Sequence, residues 1–114
     1  MKYSDMQRLD KIIEKTESLL NYIRTYEITE ERILSEEPVQ WAITTPLYNI
    51  GEQAYNLSAD FKSRYPDIPW IKIAGMRHRL VHDYEDTNWL IVSKTIFEVL
   101  PDFLNKVRKI KDAE

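Results

Sequence analysis

The sequence contains no cysteine, only two glycines and no long apolar run. The lack of cysteine excludes disulfides, thiol nucleophiles and cysteine-ligated zinc, and it fits a reducing compartment. The low glycine count disfavours all-β folds, which need glycine in turns, and dinucleotide-binding folds, which need glycine in a phosphate loop. Nowhere do about 18 apolar residues follow one another, and the polar start lacks a signal-peptide core. We therefore expect a cytoplasmic protein with no membrane contact.

The length and composition are those of one globular unit. The chain has 114 residues, of which 43% are hydrophobic and 31% are charged. A chain of this size buries about two-thirds of its unfolded surface, so it can fold alone. We predict a single domain over residues 1–114.

Charge is unevenly distributed along the chain. The net charge is −3, but residues 62–82 carry five basic residues against Asp67 alone. That segment therefore has a local charge of +4 and the remainder carries −7. The acidic remainder argues against a general nucleic-acid coat, whereas a confined basic patch suits one anionic group such as a phosphate.

Apolar residues recur at helical spacing in four long segments. The first includes Leu9 to Ile23 and begins at a capping box formed by Ser4 and Gln7. The others cover about residues 39–57, 70–81 and 90–110, and one short helical turn is expected after Thr29. No segment alternates with a period of two. The predicted fold is therefore all-α, an antiparallel bundle of four main helices plus a short connecting helix.

Prolines and one glycine interrupt this pattern. Pro46 and Pro101 lie inside predicted helices, where each removes a backbone donor and is expected to produce a kink. Gly51 lies in mid-helix at a cost of about 1 kcal/mol relative to alanine. Close approach of another helix is the usual compensation for such a glycine.

The segment "RHRLVHDY", residues 77–84, holds both histidines of the chain. His78 and His82 are four residues apart, which is a spacing that zinc sites use. However, zinc-protease helices carry a glutamate after the first histidine, and here that position is Arg79. The remaining ligands would be carboxylates such as Asp83 or Glu85. We therefore predict no metal and no other cofactor.

A second interpretation of the segment is purely structural. Arginines and histidines near the end of a helix are stabilised by the helix macrodipole, each by about 0.3–1 kcal/mol. This explains the sign of the charges, but it does not explain why His82 and Tyr84 lie where the helix is expected to end.

A third interpretation is acid–base chemistry on a phosphodiester. RNA supplies its own nucleophile, the 2′-hydroxyl, so a ribonuclease needs a proton-transferring group such as histidine and a fixed cation such as arginine. Arg77 and His82 meet these needs if the helix breaks near His82, because on an unbroken helix they would point about 140° apart. One such histidine per chain is an acid or a base, and a two-fold axis would supply both. This interpretation predicts a homodimer.

The spacing Arg77-x4-His82-x-Tyr84 resembles the R-x4-H-x-Y motif of HepT toxins, in the HEPN superfamily of all-α ribonucleases. The stretches "NIGEQA" at 49–54, "RYPDIPW" at 64–70, "IAGMRHRLVHDY" at 73–84 and "VLPDFLNKV" at 99–107 are each similar to that family, in the same order. The resemblance covers about residues 5–110.

The resemblance implies a homodimeric HEPN bundle and a metal-independent endoribonuclease, with Arg77 and His82 as the catalytic pair. It also implies a type VII toxin–antitoxin system. There a minimal nucleotidyltransferase antitoxin, named MntA in characterised systems, neutralises the toxin by AMPylating the motif tyrosine, here Tyr84. Such adducts add negative charge and bulk where an RNA phosphate must dock.

One position departs from the family pattern. The residue after the motif arginine is usually asparagine in the family, and here it is His78. His78, Arg79 and Lys72 are further candidate contacts for RNA phosphates. The alternative function is a non-catalytic HEPN module that binds nucleotide or assists a partner nucleotidyltransferase.

Overall fold

The computed structural model describes residues 3–81 and 84–114, without the side chains of Val81 and Tyr84. All regular elements in these ranges are helical, which confirms the all-α fold. They are α1 (Asp5–Thr25), α2 (Glu30–Ser35), α3 (Glu37–Asn56), α4 (Ala59–Ser63), α5 (Trp70–Val81), a 3₁₀ turn (Tyr84–Asp86), α6 (Trp89–Lys94), a π-helical turn (Thr95–Val99) and α7 (Leu100–Ala113). None of the described helices is long and apolar enough to cross a membrane.

Helix α1 begins at the predicted capping box. The hydroxyl of Ser4 accepts from the backbone nitrogen of Gln7 at 3.1 Å, and the Gln7 side chain accepts from the Ser4 nitrogen at 2.8 Å. These bonds satisfy donors that a helix start otherwise leaves without partners.

Helix α1 lies antiparallel to α3. Near its start, Asp5 accepts from the backbone nitrogen of Ser58 just beyond the end of α3, and further along Arg8 donates to Gln53 at 2.9 Å. A later residue of α1 therefore contacts an earlier residue of α3, as in an antiparallel pair of helices. Helix α7 also packs against α1, where Lys111 pairs with Asp10 at 2.8 Å.

Two short helices flank α3. The expected turn after Thr29 is α2, whose start is capped by the Thr29 hydroxyl. Helix α3 begins earlier than expected and includes Pro38 in its first turn, where a missing backbone N–H costs nothing. It continues through Pro46, which lies inside the helix and does not end it.

Helix α4 was not expected from the sequence. The hydroxyl of Ser58 caps it by accepting from the Phe61 nitrogen at 3.1 Å.

The predicted last helix is divided near Pro101. Asn88 caps α6 by accepting from the nitrogens of Leu90 and Ile91. The π-helical turn Thr95–Val99 then separates α6 from α7, and Pro101 lies in the first turn of α7. Because proline cannot donate to the preceding turn, the chain changes its hydrogen-bond pattern there.

The apolar stripes of the long helices meet in one core. At one end of the core, Trp70 packs edge-on against Phe103 with ring centres 5.9 Å apart. The indole nitrogen of Trp70 donates to the carbonyl of Tyr65 at 3.1 Å. These contacts anchor the segment between α4 and α5, and so they fix where α5 starts on the bundle.

Candidate functional site

Helix α5 packs directly against α3 at Gly51. A β-carbon on Gly51 would lie 2.9 Å from the backbone nitrogen of Arg77 and 3.0 Å from the carbonyl oxygen of Ile73. Neighbouring backbone atoms leave no room for a side chain at that distance, so glycine is required. The expectation that a second helix compensates for this glycine is confirmed, and the contact places Arg77 against the surface of α3.

The Arg77 side chain lies between two residues of α3. Its Nε atom is 3.4 Å from Oε2 of Glu52, and the side chain is only 26% exposed. The central carbon of its guanidinium lies 3.8 Å from the centre of the Tyr55 ring. An ion pair and a cation–π contact thus restrain one guanidinium from two sides.

The two terminal nitrogens of Arg77 are available for a ligand. Within residues 3–81 and 84–114, neither nitrogen has a hydrogen bond, and the nitrogen closest to Glu52 is Nε, which is buried without a hydrogen bond. The Nη1–Nη2 edge of a guanidinium matches two oxygens of a phosphate, so this edge can bind a phosphodiester bidentately.

A groove of about 1130 Å³ lies beside Arg77. Four basic residues are among its described lining residues, and none of those lining residues is a carboxylate. The basic ones are Lys62, Lys72, Arg77 and His78. The rest of the described lining is largely apolar and includes Ile68, Trp70 and Ile71. A cationic groove with an aromatic rim at Tyr55 suits a single-stranded polyanion.

The three further candidates for RNA-phosphate contacts, Lys72, His78 and Arg79, do not all lie on the same surface. Lys72 and His78 both line the groove and are exposed. Arg79 is not among the described lining residues; its Nε is buried without a hydrogen bond, and its carbonyl accepts from the Thr87 hydroxyl at 3.2 Å. Two of the three candidates therefore share one surface with Arg77.

The remaining motif residues fall at the limits of the described structure. His82 lies outside the described residues, as does the side chain of Tyr84. The 3₁₀ turn begins at Tyr84, so α5 does not continue unbroken through the motif. The rotation of an unbroken helix therefore does not apply between Arg77 and Tyr84. Leu80 is buried in the core as expected.

The described residues do not support the interpretation of the motif as a metal site. No three His, Asp or Glu side chains converge within that part of the chain, although the candidate ligands His82 and Asp83 lie outside it. The absence of a metal therefore stays a prediction.

Sequence reasoning did not assign a role to Glu52 or Tyr55. Glu52 is part of the "NIGEQA" stretch, so the family resemblance already drew attention to it. Tyr55 follows Trp41 and Tyr48 at steps of seven residues, a spacing that places three aromatic rings on one helical face. The core-facing residues of α3 lie at other positions. This second, aromatic stripe was therefore the sequence signal that could have indicated a role for Tyr55.

The fold is all-α, and a groove with four basic lining residues lies beside a restrained arginine. The family model described as "Ribonuclease HepT-like" matches residues 9–110. The chain belongs to this HepT-like ribonuclease family, and the resemblance seen in the motifs is confirmed.

Individual relatives match almost end to end. A protein of Thermococcus cleftensis named "Probable ribonuclease HepT" is 34% identical over 97% of this chain and 99% of its own length. A "Putative RNase" of Caldanaerobacter subterraneus subsp. tengcongensis is 30% identical over 93% of both chains. A "Putative RNase" of Methanocaldococcus jannaschii is 30% identical over 90% of this chain and 84% of its own. No solved structure matches the chain.

Proposed function

We propose that the protein is a metal-independent endoribonuclease that uses Arg77 and His82 on the phosphodiesters of RNA. The observation that carries the proposal is the placement of Arg77, with both terminal nitrogens available, at a groove lined by Lys62, Lys72 and His78. The ribonuclease names of its relatives support the same activity.

The chemistry needs only groups that this chain and RNA supply. The 2′-hydroxyl oxygen attacks the adjacent phosphorus while a histidine takes its proton. Arg77 stabilises the charge on the non-bridging oxygens, and the bond from phosphorus to the 5′-oxygen breaks. A protonated histidine then gives a proton to that 5′-oxygen. The products are a 2′,3′-cyclic phosphate and a free 5′-hydroxyl, with His82 as the proton-transferring group.

The active form is proposed to be a homodimer, because the acid and the base of this mechanism need two copies of His82. The outer face of α5 supports this assembly. Ile71 is 91% exposed there, and among the described residues nothing lies within 4 Å of a β-carbon built on Gly75. These two residues are four apart, share a face and also line the groove beside Arg77, so a second copy of α5 that packs there would form one wall of the RNA site.

The protein is further proposed to be the toxin of a type VII toxin–antitoxin pair. Its partner would be an MntA-like nucleotidyltransferase that joins the Tyr84 oxygen to the α-phosphorus of ATP and releases pyrophosphate. Support comes from membership of the HepT-like family and from the position of Tyr84 in the motif. The added AMP would repel an RNA phosphate from the groove beside Arg77.

Cleavage of a single-stranded RNA by the purified, unmodified protein in excess EDTA tests the activity. We expect fragments that end in a 2′,3′-cyclic phosphate. If the protein binds RNA but no fragments form, with or without added divalent metal, the catalytic proposal is wrong. The non-catalytic module, supported by the acidic remainder of the chain, would then be favoured if it stimulates a partner nucleotidyltransferase.

A further inference from the structure

Glu52 is held in place by contacts on both carboxylate oxygens. Its Oε1 accepts from the side-chain nitrogen of Asn56 at 3.1 Å, and its Oε2 lies 3.4 Å from Nε of Arg77. The same Asn56 nitrogen donates to the Glu52 carbonyl at 2.9 Å, which ties both residues to one turn of α3. Asn56 therefore selects the side-chain conformation in which Glu52 reaches α5.

Tyr55 restrains the same guanidinium in a second direction. Its ring lies 3.8 Å from the guanidinium carbon of Arg77, so it limits rotation of the guanidinium plane. Glu52 contacts the Nε edge of the Arg77 guanidinium, and Tyr55 contacts the face of the same group. Gly51 completes the arrangement because it lets the backbone of α5 come close enough for both contacts.

We propose, on the basis of the proposed ribonuclease function, that Glu52 is the positioning residue for Arg77. The carboxylate fixes the Nε edge, and Tyr55 fixes the plane. The Nη1 and Nη2 atoms are then aligned before RNA binds. Arginine–phosphate bonds that form without reorganisation contribute most in the transition state, when charge develops on the phosphoryl oxygens. The 3.4 Å contact is expected to shorten to a hydrogen bond in the complex with RNA.

Two other roles for Glu52 fit the structure less well. A carboxylate that competes with RNA for Arg77 would lie closest to the terminal nitrogens, yet the nitrogen closest to Glu52 is Nε. A general base would need an unengaged oxygen, yet one oxygen contacts Arg77 and the other accepts from Asn56. Removing a competing carboxylate would speed cleavage, and replacing a general base by Gln would remove the acidic limb of the pH profile, so both roles serve as outcomes of the test.

A double-mutant cycle on RNA cleavage tests the proposal. We expect Glu52→Ala to lower kcat by about tenfold to a hundredfold with KM changed by less than about threefold. In an Arg77→Ala background the same substitution should cause no further loss, because the residue that it positions is gone. Glu14→Ala, at an exposed glutamate of α1, removes the same charge elsewhere and should leave kcat unchanged.

The conservative variant Glu52→Gln separates positioning from proton transfer. Gln keeps an acceptor for Arg77, so we expect it to recover most of the lost kcat with an unchanged pH profile. Three results would overturn the proposal: faster cleavage by Glu52→Ala, an additive loss in the double variant, or loss of the acidic limb of the pH profile in Glu52→Gln.

An NMR measurement tests this inference independently of the proposed ribonuclease function. In ¹⁵N-arginine NMR spectra, the Nε–H proton of Arg77 should exchange with water about tenfold faster in Glu52→Ala than in the wild type. Unchanged exchange would overturn the positioning role whether or not RNA is cut. If the wild type cuts no RNA but the exchange difference is present, the ribonuclease proposal fails and the Glu52–Arg77 contact stands.

Discussion

The backbone nitrogen of Arg77 lies only 2.9 Å from the point where a β-carbon on Gly51 would stand. The contact determines how near α5 lies to α3, and so it determines whether Glu52 and Tyr55 reach the Arg77 side chain. One glycine thereby links the packing of the bundle to the proposed chemistry.

Gly51→Ala should destabilise the fold and impair the site together. The added methyl group forces the helices apart at a cost of about 1–3 kcal/mol, which the better helix propensity of alanine, about 1 kcal/mol, offsets only in part. Urea unfolding should show a lower midpoint, and RNA cleavage should fall under conditions where the protein remains folded. Unchanged stability and unchanged cleavage would show that the close contact is not needed.

The second glycine should respond differently. Gly75 is exposed and has no described neighbour near its missing side chain. Gly75→Ala should therefore stabilise the separated protomer by up to about 1 kcal/mol. If a second copy packs on α5, the same methyl group should weaken the dimer, and sedimentation equilibrium should show a higher dissociation constant. An unaltered dissociation constant would place the dimer interface elsewhere.

Lys72 should contribute to RNA binding through charge alone. It is exposed on the groove and has no ion pair among the described residues. Lys72→Ala should weaken binding equally for different RNA sequences and reduce the slope of log K against log salt by about 0.7. Lys109→Ala, at an exposed lysine of α7 outside this groove, is the matched control and should leave the slope unaltered.

Tyr84→Phe should separate cleavage from neutralisation. The variant retains the ring but lacks the oxygen that would accept AMP, so it should cut RNA like the wild type. After co-expression with an active nucleotidyltransferase of the MntA type, intact-mass spectrometry should show AMP adducts on the wild type and none on Tyr84→Phe. An adduct that persists on the variant would assign the modification to another residue.

Much of the fold could be predicted from local sequence. The apolar stripe of α1 and its capping box act within a few residues, so a single chain suffices to read them. Helix α4 was missed because its five residues are too few to show a period, although Ser58 was a cap signal. The π-helical turn was expected only as a kink at Pro101, because proline predicts a break but not how the chain accommodates it.

The candidate site was only partly predictable. Arg77, Lys72 and His78 could be named from the motif and the basic patch, and the structure places all three on one groove. The contacts of Glu52 and Tyr55 with Arg77 could not be predicted, because they join residues that are distant in sequence and depend on how α5 is packed on α3. Periodicity gives the face of each helix, but it does not give the pairing of faces between helices.

The central claim is that Arg77 and His82 perform the cleavage. The direct measurement is the single-turnover rate of RNA cleavage in EDTA for Arg77→Ala, His82→Ala and the control Arg24→Ala, which changes an exposed arginine on α1. The account predicts that each site variant loses about 10²–10⁴-fold in rate while the control matches the wild type. Full cleavage by both site variants would contradict it.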